Sequence, residues 1–364
     1  MKKRLAVLLS MVLTVSVLAV GCGDTKADAG NQGQTSVSTE AESGDAAASS
    51  DAAVATEGSL KTGLGIITSV SGSADAADAD GVAEADVTIA AVTVDADGRI
   101  VECTIDIAQT VINFSAEGKI TTDLATEYQT KQELGEGYGM KAASGIGKEW
   151  NEQADAFAAY CVGKTADEVA GIAVTETGVA ADEDLAASCT VHIGGFQEVV
   201  AKAVNNATEA GAQAGDKLGL GVSTNIAKSA DASADADGVA QAYTTVSVVT
   251  VNADGKITSA VIDAVQANVN FDTTGKITSD LTAEVASKNE LGDAYGMKAA
   301  SSIGKEWNEQ AAAYAAYAVG KTADEVNATA VAEGVPSDAD LAASVTVHIT
   351  DFNTVITKAV NNAK

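Results

Sequence analysis

The chain holds two histidines, His192 and His348, and each closes a similar short row, SCTVHI from Ser188 and SVTVHI from Ser344. Read as strands, these rows alternate. Ser188, Thr190 and His192 share one face, with Cys189, Val191 and Ile193 on the other; Ser344, Thr346 and His348 mirror the first set. Two hydroxyls and an imidazole on one side could bind a small ligand or carry a covalent group on the threonine. The same alternation also describes a half-buried strand that turns its polar side to water. One histidine per row cannot by itself build a structural zinc site, and no Ser–His–acid order specifies a hydrolase.

A second constellation precedes each row. YGMKAASGIGKEWNEQA runs from Tyr138 and YGMKAASSIGKEWNEQA from Tyr295, 157 residues apart and differing at one position. Gly147 and Lys148, repeated as Gly304 and Lys305, stand where an apolar helical stripe begins. Free amides at a helix start, small residues and a lysine suit a phosphate or carboxylate. The competing reading is mechanical: the glycines form a tight entry turn while Trp150 anchors the helix to a sheet. The acidic runs, Asp75, Asp78 and Asp80 before Gly81, and Asp235 and Asp237 before Gly238, lack the alternating ligands and closing Glu of a calcium loop. They read as solvated turns.

These residues need elements to hold them, and the elements come twice. Residues 60–208 and 216–364 align almost end to end, joined by a Gly/Ala-rich linker, TEAGAQAG. KTGLG answers KLGLG, VTVDADGRI answers VTVNADGKI, and GKTADEV recurs. The first half of each copy reads β: Val87 to Val94 and Ile100 to Ile107 are rich in Val, Ile and Thr around the hairpin signal Asp95 to Gly98. The second half reads α. Ile146, Trp150, Ala154, Phe157 and Cys161 recur at helical spacing, Thr165 and Glu168 form a capping box, and Phe196 to Ala203 is amphipathic. The expected fold is α+β: two tandem repeat domains, 59–208 and 216–364, each an antiparallel sheet covered by helices. Cys103, Cys161 and Cys189 have Ala260, Ala318 and Val345 as counterparts, which points to packing and away from a disulfide, metal or nucleophile.

The address is written at the start. Met1-Lys2-Lys3-Arg4 is a positive n-region, an apolar stretch follows, and Ala19-Val20-Gly21-Cys22 resembles a bacterial lipobox. Residues 1–21 therefore read as a lipoprotein signal peptide and Cys22 as the lipidated residue. The apolar stretch is short for a membrane span. Residues 22–58, rich in Ala, Ser, Gly and acid and without an aromatic, read as a disordered tether. The protein is thus expected on the extracellular face of the cell membrane, held by its lipid. A formal charge of −29, from 51 acidic and 22 basic residues, argues against nucleic acid, whose phosphates need clustered Lys and Arg.

DEDLAASCTVHIGGFQEVVAKAVNNA, ending each copy in similar form, resembles the C-terminal part of FMN-binding domains of the bacterial surface. Those domains carry Asp-x-x-Ser-Gly-Ala-Thr ahead of a helix reading roughly AVxxAVNxAL, and a flavin transferase joins the FMN phosphate to the Thr hydroxyl. Asp184 and Thr190 keep that spacing of six, as do Asp340 and Thr346; the residues between read Leu-Ala-Ala-Ser-Cys and Leu-Ala-Ala-Ser-Val, without the Ser-Gly-Ala. The resemblance implies FMN as cofactor, Thr190 and Thr346 as acceptors, and a surface lipoprotein of Gram-positive type serving extracellular electron transfer. A loosely held flavin or other small anion would instead use the amides near Gly147 and Gly304. The rival from another class is a structural or adhesive lipoprotein without cofactor. An enzyme is the weakest reading, because no nucleophile–base pair or metal cluster is visible.

Overall fold

The computed structural model describes residues 58–364. The signal segment, Cys22 and the tether up to residue 57 lie outside the described residues. The fold mixes antiparallel sheets with helices, as expected. Three strands open the described residues, β1 (Ser59–Ser69), β2 (Gly81–Val94) and β3 (Ile100–Phe114). At the β2–β3 turn Asp95 Oδ1 accepts from the amides of Asp97 and Arg99 at 2.9 Å, and Gly98 supplies the left-handed φ of +76°. Helices follow: α1 (Lys131–Leu134), α2 (Trp150–Cys161), α3 (Ala166–Ala170), α4 (Glu183–Ala186) and α5 (Gly194–Asn205). Then comes β4 (Thr208–Gln213). The second half repeats the order with β5 (Lys217–Asn225), β6 (Gly238–Val251), β7 (Ile257–Phe271), α6 (Lys288–Leu291), α7 (Trp307–Ala318) and α8 (Ala323–Asn327). A two-residue ribbon, β8 (Val331–Ala332) with β9 (Val335–Pro336), precedes α9 (Ala339–Ala342) and α10 (Thr350–Asn362). No helix among the described residues is long and apolar enough to cross a membrane.

Two expectations change. The TEAGAQAG stretch is no slack linker: Thr208–Gln213 pairs antiparallel with β1, giving one sheet of order β3-β2-β1-β4 beside a second of order β5-β6-β7. Nor are the halves self-contained bodies. They fall in a single compact unit, and the inner faces of their sheets share one interior. Leu64, Ile66, Val87 and Ile89 meet Leu218, Leu220, Val246 and Val248 there. Further along, Phe114 and Phe271 stack with centroids 4.2 Å apart and planes within 7° of parallel. Strands β1–β3 and β5–β7 thus bury one face against the other half and the opposite face under their own helices.

The outer layer explains KTGLG. Leu64 and Ile66 point inward, so Gly63 and Gly65 face α5, whose backbone lies directly on them; a Cβ at either would run into the carbonyl oxygens of Ala203 and Val199. Gly219 and Gly221 receive α10 in the same way, against Ala359 and Val355. Glycine is required because the helix comes closer than a side chain allows. Asn206 Nδ2 and Lys202 Nζ then donate to the open-edge carbonyls of Leu64 and Ile66 at 3.0 and 2.7 Å. Asn362 and Lys358 do so for Leu220 and Val222 at 2.9 Å each.

The seams between the sheets are polar. Thr62 Oγ1 and Ser259 Oγ are hydrogen-bonded at 2.6 Å where β1 meets β7, and Glu102 Oε2 accepts from the Leu218 amide at 2.9 Å where β3 meets β5. Lys202 pairs with Glu290 across one seam and Lys358 with Glu133, at 2.7 Å, across the other. A buried carboxyl sits beside each pair. Asp106 Oδ1 accepts from the amides of Ile107 and Gln132, and Asp263 Oδ1 from those of Ala264 and Asn289, at 2.7 and 3.0 Å in both cases. Burial outweighs these bonds and pushes both carboxyls up to about 6. The acidic turns also do more than meet water: Asp75 Oδ1 accepts from the Ile277 amide at 2.7 Å and Asp231 Oδ1 from that of Ile120 at 2.9 Å, fastening each half to the other.

Candidate functional site

α2 begins at Trp150, four residues after the Ile146 where the apolar stripe starts. Residues 144–148 form the entry turn, and Gly147 adopts φ +65° there, Gly304 φ +63°. The amides expected to greet an anion are already bonded. Gly147 N donates to Ser144 O at 3.1 Å, the amides of Ile146 and Lys148 to Ser144 Oγ at 3.4 Å, and Glu149 N to Glu152 Oε2 at 2.8 Å. The second half makes the corresponding bonds at Gly304, Lys305 and Glu306. Glu149 and Glu306, both buried, accept from the amides of Met140 and Met297 at 2.8 Å. The positive end of α2 therefore faces the protein's own carboxylates, and the tight-turn reading holds.

SCTVHI is not a strand. Residues 188–193 run irregularly from the end of α4 to the start of α5, since Asp182 caps α4 and Ile193 already opens the next helix. The sidedness expected of a strand survives only in part: Cys189 and Ile193 are fully buried and His192 is exposed, but Val191 is half-buried, like Ser188 and Thr190. Ser188 Oγ donates to Leu185 O at 3.1 Å, and Ser344 Oγ to Leu341 O at the same distance, so both hydroxyls serve the ends of short helices. His192 lies against the turn at Gly178, and His348 against Gly334. Neither imidazole bonds to the threonine two residues before it.

One buried side chain brings the two constellations together. Gln153, fully enclosed on α2, accepts at Oε1 from the Thr190 amide at 2.8 Å and from Thr190 Oγ1 at 3.1 Å. Its Nε2 donates to Ser144 Oγ at 3.3 Å and to Lys148 O at 3.2 Å. Gln310 makes the same four bonds, to the amide and Oγ1 of Thr346 at 2.8 and 3.1 Å and to Ser301 Oγ and Lys305 O at 3.2 Å each. The amide cannot be reversed, because a backbone N–H can only donate to Oε1. Sequence reasoning missed this residue, although a signal existed: a glutamine three positions after Trp150 falls on the buried side of an otherwise apolar stripe.

The chemistry of the centre follows. With its proton engaged inward, the Thr190 oxygen has lone pairs left for a ligand or a bond. Burial pushes the adjacent Cys189 thiol up, with a backbone hydrogen bond from Val191 and the charge of Lys148 working against that shift. α5 and α10 open just beyond the threonines with no side-chain cap on their first turns. Cys161 is buried in the core and pushed up to about 12, and burial also raises Cys103 well above its ordinary value, which keeps both protonated. No group of three or more His, Cys, Asp or Glu among the described residues could hold a metal ion. No family model matches this chain, and searches of curated proteins and of solved structures return no match.

Proposed function

We propose that this chain is a cell-surface lipoprotein, anchored through Cys22, whose two tandem repeats each carry a small module related to FMN-binding domains. Thr190 and Thr346 are the residues that take the cofactor, through its phosphate. The observation that carries the reading is the pair of half-buried threonine hydroxyls held in matching geometry by Gln153 and Gln310. Lys148, whose carbonyl Gln153 holds, supplies a counter-charge for phosphate, and Lys305 stands at the matching position. The chain's own residues position and neutralise; FMN, when bound, supplies the redox chemistry for extracellular electron transfer.

The test is to co-express residues 23–364 with a flavin transferase and to record the visible spectrum and intact mass. The expected result is a yellow protein carrying two covalent FMN increments, reduced to none in Thr190→Ala plus Thr346→Ala. A colourless protein of unmodified mass would overturn the flavin reading in favour of a structural or adhesive surface protein.

A further inference from the structure

We infer that Gln153 and Gln310 are the positioning residues that make Thr190 and Thr346 competent for modification, by holding each hydroxyl proton inward so that the oxygen faces an incoming phosphorus. The inference rests on the flavin reading above and adds to it a residue for which no motif was read.

Three hydroxyls lie near each centre, and their bonding separates them. Ser188 Oγ donates to a helix-end carbonyl, and Ser144 Oγ receives bonds from the Ile146 and Lys148 amides and from Gln153. Only Thr190 is gripped twice by one acceptor atom, through its amide and its hydroxyl, at 2.8 and 3.1 Å. Anchored through its backbone amide and its hydroxyl, the residue turns the Oγ1 proton toward Gln153 and leaves the oxygen's lone pairs unengaged, and fixing a nucleophile's direction is worth large factors in rate. The glutamine is fixed in turn by its bonds to Ser144 and Lys148, so the entry turn of α2 serves as its mount. That gives the duplicated Gly-turn segment a task after all, as the support behind the threonine.

In the transfer itself Thr Oγ forms a bond to the FMN-side phosphorus of a flavin dinucleotide. The pyrophosphate P–O bond breaks, the nucleoside monophosphate leaves with its electron pair, and, once the O–P bond has formed, the hydroxyl proton turns out of its bond to Gln153 and passes to the transferase or to water. No group is oxidised or reduced. Gln153 is no base and takes no proton; it sets direction only.

Because the halves share one interior, each serves as the internal control for the other. Co-expressed with the transferase, the full chain is digested and the Thr190 and Thr346 peptides are weighed separately. Gln153→Leu should lower occupancy at Thr190 by a factor of roughly a hundred at early times while Thr346 stays as in the parent. Gln310→Leu should do the reverse. Gln153→Glu, which keeps an acceptor for both Thr190 donors, should retain modification at Thr190. Equal modification of both peptides in Gln153→Leu would overturn the inference and leave the flavin reading standing. Loss at both threonines in that variant would show a role in folding and also overturn it. Loss in Gln153→Glu as well would place the effect in the Nε2 bonds, against orientation of the hydroxyl. A parent chain without modification at either threonine would overturn the flavin reading itself.

Discussion

The two halves agree closely at one corner and part company at the next. Around Thr190 and Thr346 the four glutamine bonds match to within 0.1 Å. Beside that centre each half places a lysine over aromatic rings, but with different company. Lys288 is buried, its Nζ 4.5–4.9 Å from the centroids of Tyr243, Tyr295 and Trp307 and 3.0 Å from the Tyr243 hydroxyl. Lys131 sits over Tyr138 and Trp150 only, at 4.9 and 5.6 Å, and is part-exposed. Where the second half has Tyr243 the first has Asp86, whose carboxyl burial and the nearby Glu84 push up to about 6, and whose Oδ1 has no partner. The lesson is that a shared skeleton fixes what its backbone touches, while side chains standing off its central strands are free to follow different electrostatics.

The widest test of equivalence is mechanical. If both helices rest on glycine backbone, Gly65→Ala and Gly221→Ala should each cost about 3 kcal/mol, since a methyl group must displace a helix backbone and no flexible side chain can yield instead. Thermal or denaturant unfolding measures this, and with a shared interior each variant should keep a single transition. A variant whose two halves unfold separately would break the comparison at its root.

The layers differ in how far they could be read beforehand. The outer layer was largely legible: the capping box at Thr165 and the β2–β3 turn stand where pattern placed them, and the apolar stripe of α2 does so from Trp150 on, with Ile146 left in the entry turn. The inner layer was not, because each strand was matched to its own helices, which account for only one face. Its trace was present in β2, where Ile89 to Val94 is buried at every position, the mark of a strand covered on both sides. At the site, alternation in SCTVHI found the buried Cys189 and Ile193 and the open His192, but Val191 is no more buried than Thr190 and the segment is no strand, since a helix start can present a similar order over a few positions. The meeting of the turn with the threonine depends on contact across 37 residues, from Gln153 to Thr190, beyond the reach of local periodicity.

The seam carboxyls offer a second, smaller comparison, in which the halves should respond alike. Asp106 and Asp263 hold their protons up to about 6 in the folded chain, against an ordinary 3.8. The folded state therefore binds more protons than the unfolded between those values. The stabilising contribution is complete below about pH 4 and lost as pH rises through about 6. Asn keeps the acceptor for the two backbone amides without the charge. Asp106→Asn and Asp263→Asn should each raise stability near pH 7 by on the order of 2 kcal/mol and change little near pH 4. Unequal responses would show that the two seams differ in ways their matched bonds do not reveal.

The lysines give the smallest effect and the sharpest contrast. Burial pushes Lys288 down to about 8 from 10.5, with Asp263 working the other way, so the folded chain holds that proton less tightly than the unfolded one. The penalty is present below about pH 8 and gone above about pH 10. Three ring faces and the Tyr243 hydroxyl offset part of it, since a desolvated ammonium over aromatic rings gains up to about 2 kcal/mol. Lys288→Met should then be stabilising near pH 7 by about 1 kcal/mol, with the gain fading as pH approaches about 10. Lys131→Met, at a part-exposed position, should stay within about 0.5 kcal/mol of the parent throughout. Denaturant midpoints at the two pH values distinguish these outcomes. If both variants behave alike, the exchange of Asp86 for Tyr243 carries no electrostatic consequence, and the divergence between the halves is one of shape alone.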